Sequence, residues 1–338
     1  MRLFEEVRSS CAKIAAHARW VGIDMDAIQR DELLAAIAAP GPAPALDPVR
    51  HYLEGPPEDV ADYLLALDAI NFGSGWFPTL RKRFDQGQPV SGYFTVAWGL
   101  ADHVRAHGAV KALGPAWLRQ ASAREIAAIL DQPPEHELMS LYAQALRELG
   151  RFLGNRRALD LVAECGGSAE RLAETLAGRN GDRSGRHSLR SHPRIGQRRR
   201  RVSPGFGRSS IGGMAMFHDR GFYKRAQIVS SDLALAGVAS FADLDRLTIF
   251  ADNLVPHVLR CEGVLVYEET LAARIDTGEI LPPGGPEREI RACAVHACEL
   301  ISERTGVPPR VLDTRLWNRG QAPEYKARPR HRCRTVFY

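Results

Sequence analysis

Apolar residues recur at spacings of three and four through residues 60–72, 94–104, 138–153, 159–162 and 290–301, while strand-like alternation is scarce. A chain patterned this way buries its apolar stripes by packing helix on helix, so the predicted fold is mainly α with few or no strands. Local punctuation agrees. Ser122 followed by Glu125 ahead of an apolar run is a capping-box start, Pro133 and Pro134 end that helix, and Gly166-Gly167-Ser168 separates two more. No repeat of about 20 to 50 residues is present, which argues against a solenoid. With 338 residues, 45% of them hydrophobic, the chain can bury a substantial core.

Residues 179–213 break the pattern. They hold ten Arg against one Asp, a net of +9 in a chain whose total is +5, so the remainder carries −4. The basic character of the chain is therefore that of one Arg-, Ser- and Gly-rich stretch without hydrophobic periodicity, predicted to be a disordered insertion. An RNA-binding arm is the functional alternative, with Arg198 to Arg201 meeting phosphates, but no aromatics interleave to stack on bases. A stretch mistranslated from the underlying gene sequence would look the same.

The six cysteines are scattered without CxxC pairs, which predicts reduced thiols and a cytoplasmic setting rather than a disulfide framework or a zinc site. The N-terminal stretch carries Glu5 and Glu6 and no signal-like apolar run, and runs such as residues 33–39 fall far short of the roughly 20 residues that span a bilayer. Neither a membrane role nor a metal or other cofactor is expected: HExxH, P-loop, GxSxG and strand-linked GxGxxG patterns are all missing. His296 and Cys298 read as neighbours on a core helix.

Four stretches concentrate polar, aromatic and glycine residues. In residues 68–78 a helix runs into a glycine-bracketed turn with Trp76 and Phe77, suited to a pocket wall or to simple capping and core packing. In 221–233, Lys224, Gln227 and Ser231 share one helical face beside Ile228, as a ligand-facing surface or a solvated one. In 250–260, Asp252 precedes a proline-bearing apolar helix, the usual place of an N-cap. In 312–317, Asp313 lies one turn from Trp317, again compatible with a cap and a core indole. Separated carboxylates with aromatics suit glycosyl chemistry, whose oxocarbenium-like transition state gains from fixed negative charge while a heterocyclic base stacks on aromatic rings.

The strings INFGSGWFPTL, SGYFTVA, GFYKRAQIVSSDLALAG, LTIFADNLVPHVLRCEGVL, EIRACAVHACELI, LDTRLW and HRCRTVFY, in this order over nearly the whole chain, resemble the signature segments of the queuosine salvage protein family, its bacterial branch above all. That resemblance implies a queuosine 5'-phosphate N-glycosylase of two-lobed helical architecture similar to DNA glycosylases, one catalytic domain over residues 1–338 interrupted by 179–213. It implies a site of His51, Phe250, Asp252 and Asp313, with Asp313 catalytic; the charged residues Asp232 and Lys224 are added as substrate-binding candidates on charge alone, with Lys224 or Arg225 meeting the 5'-phosphate. The partner implied is a small nucleotide, with no nucleic acid or membrane and a monomeric chain. The non-catalytic RNA-binding protein remains the alternative. In the family's pattern Gly178 runs almost directly into Met214, which marks 179–213 as the departure.

Overall fold

The computed structural model describes residues 2–39, 45–179, 217 and 219–338; the predicted insertion, apart from Arg179, lies outside the described residues. Helix follows helix along the chain, and strands are confined to three short pairings among the described residues. Val21–Ile23 pairs antiparallel with Leu265–Tyr267, Phe84–Asp85 antiparallel with Gln88–Pro89, and Ile280–Leu281 parallel with Arg332–Cys333. The mainly helical expectation holds.

The helix Pro57–Ala69 sits at the centre. Proline opens it, where a missing N–H costs nothing, and from Val60 to Ala69 every side chain is buried. A helix apolar on all sides must be surrounded, and this one packs against Lys224–Leu235, Ala158–Glu164 and Ala109–Leu113. Its two interior carboxylates differ. Asp62 accepts from Ala158 N at 2.8 Å and Arg157 Nε at 2.8 Å. Asp68, in the last turn, has a place in the site described below.

Other helices follow their sequence signals. Glu137–Leu153 buries Leu138, Tyr142, Leu146, Leu149 and Leu153 on one stripe and stops at Gly154, whose φ of +64° a residue with a Cβ adopts only under strain. The capping box forms as read: Ser122 Oγ accepts from Glu125 N at 3.2 Å while Ser122 N donates to Glu125 Oε2 at 2.9 Å. The 20-residue helix Pro286–Thr305, about 30 Å long at 1.5 Å per residue, packs along Leu3–Ala16. Cys293 and Cys298 are buried in it and His296 is half-buried. All six cysteines are unbonded.

Candidate active site

Where Lys224–Leu235 and Pro309–Arg319 face the turn after Pro57–Ala69, a cavity of about 550 Å³ opens, a size suited to a nucleotide-scale ligand. The structure brings all six expected site residues, His51, Lys224, Asp232, Phe250, Asp252 and Asp313, to its wall.

Asp313 lies in the middle of the helix Pro309–Arg319, so it does not cap that helix. Its neighbours Leu312 and Leu316 point to the core, whereas Trp317, one turn on, stays half-buried and lines the cavity. Asp313 Oδ1 accepts from Phe250 N at 2.8 Å. Burial pushes its pKa up to about 8, the neighbouring charge of Asp252 adds to this, and the Phe250 N–H opposes it. Near neutral pH this carboxyl therefore holds its proton. Asp252 does two jobs: its Oδ1 accepts from Leu254 N at 2.7 Å and Val255 N at 3.2 Å, capping the helix Val255–Cys261, while it also lines the cavity.

Lys224 begins the helix Lys224–Leu235 after Tyr223, a residue forced to φ +51°. Its Nζ donates to Asn71 O at 3.1 Å and Asn71 Oδ1 at 2.9 Å. Burial lowers its pKa, and Asp252, Asp68 and Asp313 hold it up. Asp232, a little over two turns along the same helix, and Asp68, across the helix contact, are both raised by burial; the charge of Asp68 raises Asp232 further and Lys224 opposes it. Asp68 Oδ1 accepts from Asn71 Nδ2 at 3.3 Å, and its Oδ2 has no partner. The Lys224 ammonium thus sits among the carboxyls of Asp68, Asp232 and Asp313, each pushed up first of all by burial, with Asp252 beside them.

Two readings of this helix need correction. Arg225 does not reach the cavity: it is buried, bonded to Ala69 O and held between the Phe72 and Phe217 rings, each 4.9 Å away. One residue on from Lys224 is a turn of about 100° around the helix, which puts the guanidinium in the core. Gln227 also faces inward, donating to Phe222 O at 2.8 Å and Thr248 Oγ1 at 2.9 Å, and accepting from Thr248 N at 3.1 Å. It ties the 247–250 stretch to the helix, leaving Lys224, Ile228, Ser231 and Asp232 to the cavity.

His51 is buried with both ring nitrogens in use. Nδ1 lies 2.9 Å from Asp47 O and must donate there, so in the neutral ring Nε2 accepts from Tyr93 Oη at 3.0 Å. Burial keeps the ring neutral by lowering its pKa. His51 thus offers a ligand its ring surface, and a polar bond only if Tyr93 gives up its own. Tyr93, Phe94 and Trp317 meet edge-on beside it, with Tyr93–Trp317 and Phe94–Trp317 centroids 6.2 and 5.8 Å apart. Sequence reasoning missed the roles of Tyr93, Asp68 and Asn71. For Tyr93 a signal existed, a Ser91 N-cap and a glycine leading into two aromatics.

Arg291 was missed as well. Fully buried in Pro286–Thr305, it pairs with Asp219 through both terminal nitrogens, donates from Nε to Ala251 O at 2.9 Å, and lies 4.0 Å from the Phe222 ring centre. One guanidinium therefore fixes both the approach to Lys224 and the 250–252 stretch next to Asp252.

The model of the family described as Queuosine salvage protein matches residues 51–180 and 214–338, most of the chain. The chain belongs to the queuosine salvage protein family. The match to this family passes over 181–213, the core of the Arg-rich stretch. A protein of Sphaerobacter thermophilus named "Queuosine 5'-phosphate N-glycosylase/hydrolase" is 31% identical, covering 98% of this chain and 97% of its own. Proteins of the same name from Dictyostelium discoideum and Mus musculus are 38% and 33% identical, each over 35% of this chain and 40% of theirs. Among the described residues, no helix is long and apolar enough to cross a membrane, and no three His, Cys, Asp or Glu side chains group as a metal site.

Proposed function

We propose that this chain hydrolyses the N-glycosidic bond of queuosine 5'-phosphate, releasing queuine and ribose 5-phosphate. What carries the reading is the proton-holding Asp313 beside Asp252 in an aromatic-walled cavity, in a family whose relatives bear that activity in their name. Queuine is a 7-deazaguanine, so the leaving base has no N7 to protonate and cleavage leans on stabilising the ribosyl cation. As the C1'–N bond breaks with its electron pair leaving on the base, positive charge at C1' lowers the pKa of Asp313 and its proton passes to the departing base. The resulting carboxylate stabilises the cation; water then bonds to C1' and returns a proton to Asp313. Asp252 accepts hydrogen bonds from the base, Phe250 stacks on it, and His51 adds ring surface. Lys224, already bonded twice to Asn71 among four carboxyls, balances their charge.

Incubation with queuosine 5'-phosphate is expected to give queuine and ribose 5-phosphate by mass spectrometry. A folded protein that leaves the nucleotide intact and binds RNA instead would overturn the reading. Because the acid form of Asp313 starts the reaction, kcat/KM is expected to fall as pH rises through about 8. A profile flat from pH 6 to about 9 would contradict that proton transfer while leaving the overall hydrolysis standing.

A further inference from the structure

Asp47 and His51 reach the cavity wall from a stretch that belongs to no helix. Residues 47–51 make a single turn, closed by His51 N donating to Asp47 O at 2.9 Å. Asp47 starts it, its Oδ1 accepting from Val49 N at 2.9 Å and Arg50 N at 3.1 Å. One isolated turn does not hold itself, because it fixes several dihedrals for one hydrogen bond and leaves its last carbonyls without internal donors. Arg105 supplies those donors. From the helix Gly92–His107 its Nη2 donates to His51 O at 2.7 Å and Pro48 O at 3.3 Å, and its Nη1 to Val49 O at 3.4 Å. The same helix carries Tyr93 and Phe94, whose ring centres lie 5.8 and 6.0 Å from that of His51. At about 100° per residue, Phe94 and Arg105 project within about 20° of each other, so one helix face holds both the ring and the carbonyl of His51.

Arg105 stands behind the turn, outside the cavity wall. Its side chain, 29% exposed, also pairs with Glu54, 53% exposed, and with Asp102. Ion pairs as open as these contribute little, since water screens them. The carbonyl bonds do more: a rigid guanidinium fork that satisfies Pro48, Val49 and His51 together fixes where their turn lies against the helix. On the other side of the turn Arg50 pairs with Asp47 and with Asp85 of the 84–89 hairpin, its guanidinium 5.0 Å from the centre of the Phe94 ring. The place of His51 beside Tyr93 therefore depends on a side chain that lies outside the cavity.

We propose that Arg105 is a positioning residue for substrate binding: by holding the Pro48, Val49 and His51 carbonyls it seats the His51 ring against Tyr93 and keeps the 45–51 side of the cavity formed. The kinetic arm of its test rests on the proposed hydrolysis, and the hydrogen-exchange arm does not. Arg105→Met, Arg105→Lys, Glu54→Gln, His51→Ala and the Arg105→Met/His51→Ala pair are compared with the unaltered protein, with melting temperature checking the fold. Losing a charged hydrogen bond costs about 10- to 100-fold, the low end applying to a partly exposed side chain. Amide exchange at Val49, Arg50 and His51 is therefore expected to quicken about tenfold in Arg105→Met, while the amides of the helix Gly92–His107 keep their rates. On queuosine 5'-phosphate KM should rise about tenfold with kcat within about threefold, since His51 offers ring surface and takes no part in proton transfer. Arg105→Lys, with the charge but no fork, should restore part of both. Glu54→Gln, which removes the ion pair and leaves the carbonyl bonds, should stay within about twofold throughout. The paired variant should fall well short of the product of its two single losses, because Arg105 acts through His51. Unchanged exchange in a folded Arg105→Met protein overturns the proposal, as do single losses that multiply in full or a Glu54→Gln protein that matches Arg105→Met. If Arg105→Met does not fold, Arg105→Lys takes its place, and unchanged exchange there overturns the proposal. If the unaltered protein leaves the nucleotide intact, the proposed hydrolysis fails by itself and exchange at 49–51 decides: faster rates support the positioning role, unchanged rates overturn it.

Discussion

Asp313→Asn is expected to lower turnover by about two orders of magnitude or more, with substrate affinity much less changed, because the group removed acts as the cation forms. The same substitution is expected to raise the melting temperature. Asn keeps an oxygen for the Phe250 N–H but carries no ionisable group into a buried site. The sign follows from the two states: Asp313 titrates near 8 when folded and about 4 when unfolded. The folded chain thus binds the extra proton between these values, and stability falls as pH rises across that window. The gain from Asn should accordingly be small at pH 5 and largest near pH 8, at about 2–4 °C for each kcal/mol relieved. Near-normal turnover would remove Asp313 from the chemistry. Lost turnover with a lowered melting temperature would point to a structural role instead.

Lys224→Met is expected to do the opposite to stability while also abolishing turnover, by about 100-fold or more. Without the ammonium, Asp68, Asp232, Asp252 and Asp313 lose their shared counter-charge, and unpairing a buried charge typically costs about 3–5 kcal/mol. The carboxyls can recover part of this by taking up protons. The variant should therefore melt well below the unaltered protein at pH 8 and approach it at pH 5. Adding Asp232→Asn should restore much of the stability at pH 8 and none of the turnover. A Lys224→Met protein with unaltered melting at both pH values would show that its charge does not balance the cluster.

Helix positions were legible because apolar spacing registers burial on one side, and caps such as Ser122 are local chemistry. The same logic fails on the helix Lys224–Leu235. Residues from Lys224 to Gln227 and from Val229 to Leu233 are all buried, so no polar stripe distinguishes the cavity side from the core side. That is why Gln227 reads as sharing a face with Lys224, and Arg225 as an alternative to it, although both face the core. Asp68 was hidden in the reverse way, as one carboxylate in an apolar helix whose partners, Asn71 apart, come from distant sequence. Arg291 looked like one more charge on a long helix; its value depends on Asp219 and Ala251, which only the packed chain brings to it. Asp252 and Asp313 came from family resemblance, since spacing alone fitted helix caps as well. For Asp252 the cap is real and coexists with its place on the cavity wall.

The cavity wall draws on stretches from residue 45 to residue 338. Closing loops of that size costs entropy before any of the far-apart contacts exist to offset it. A molecule in which the stretches 45–94, 224–253 and 313–338 are not all in place therefore has no complete cavity wall. A sample pushed partway through its unfolding transition should contain fewer active molecules, each running at the full rate with an unchanged KM.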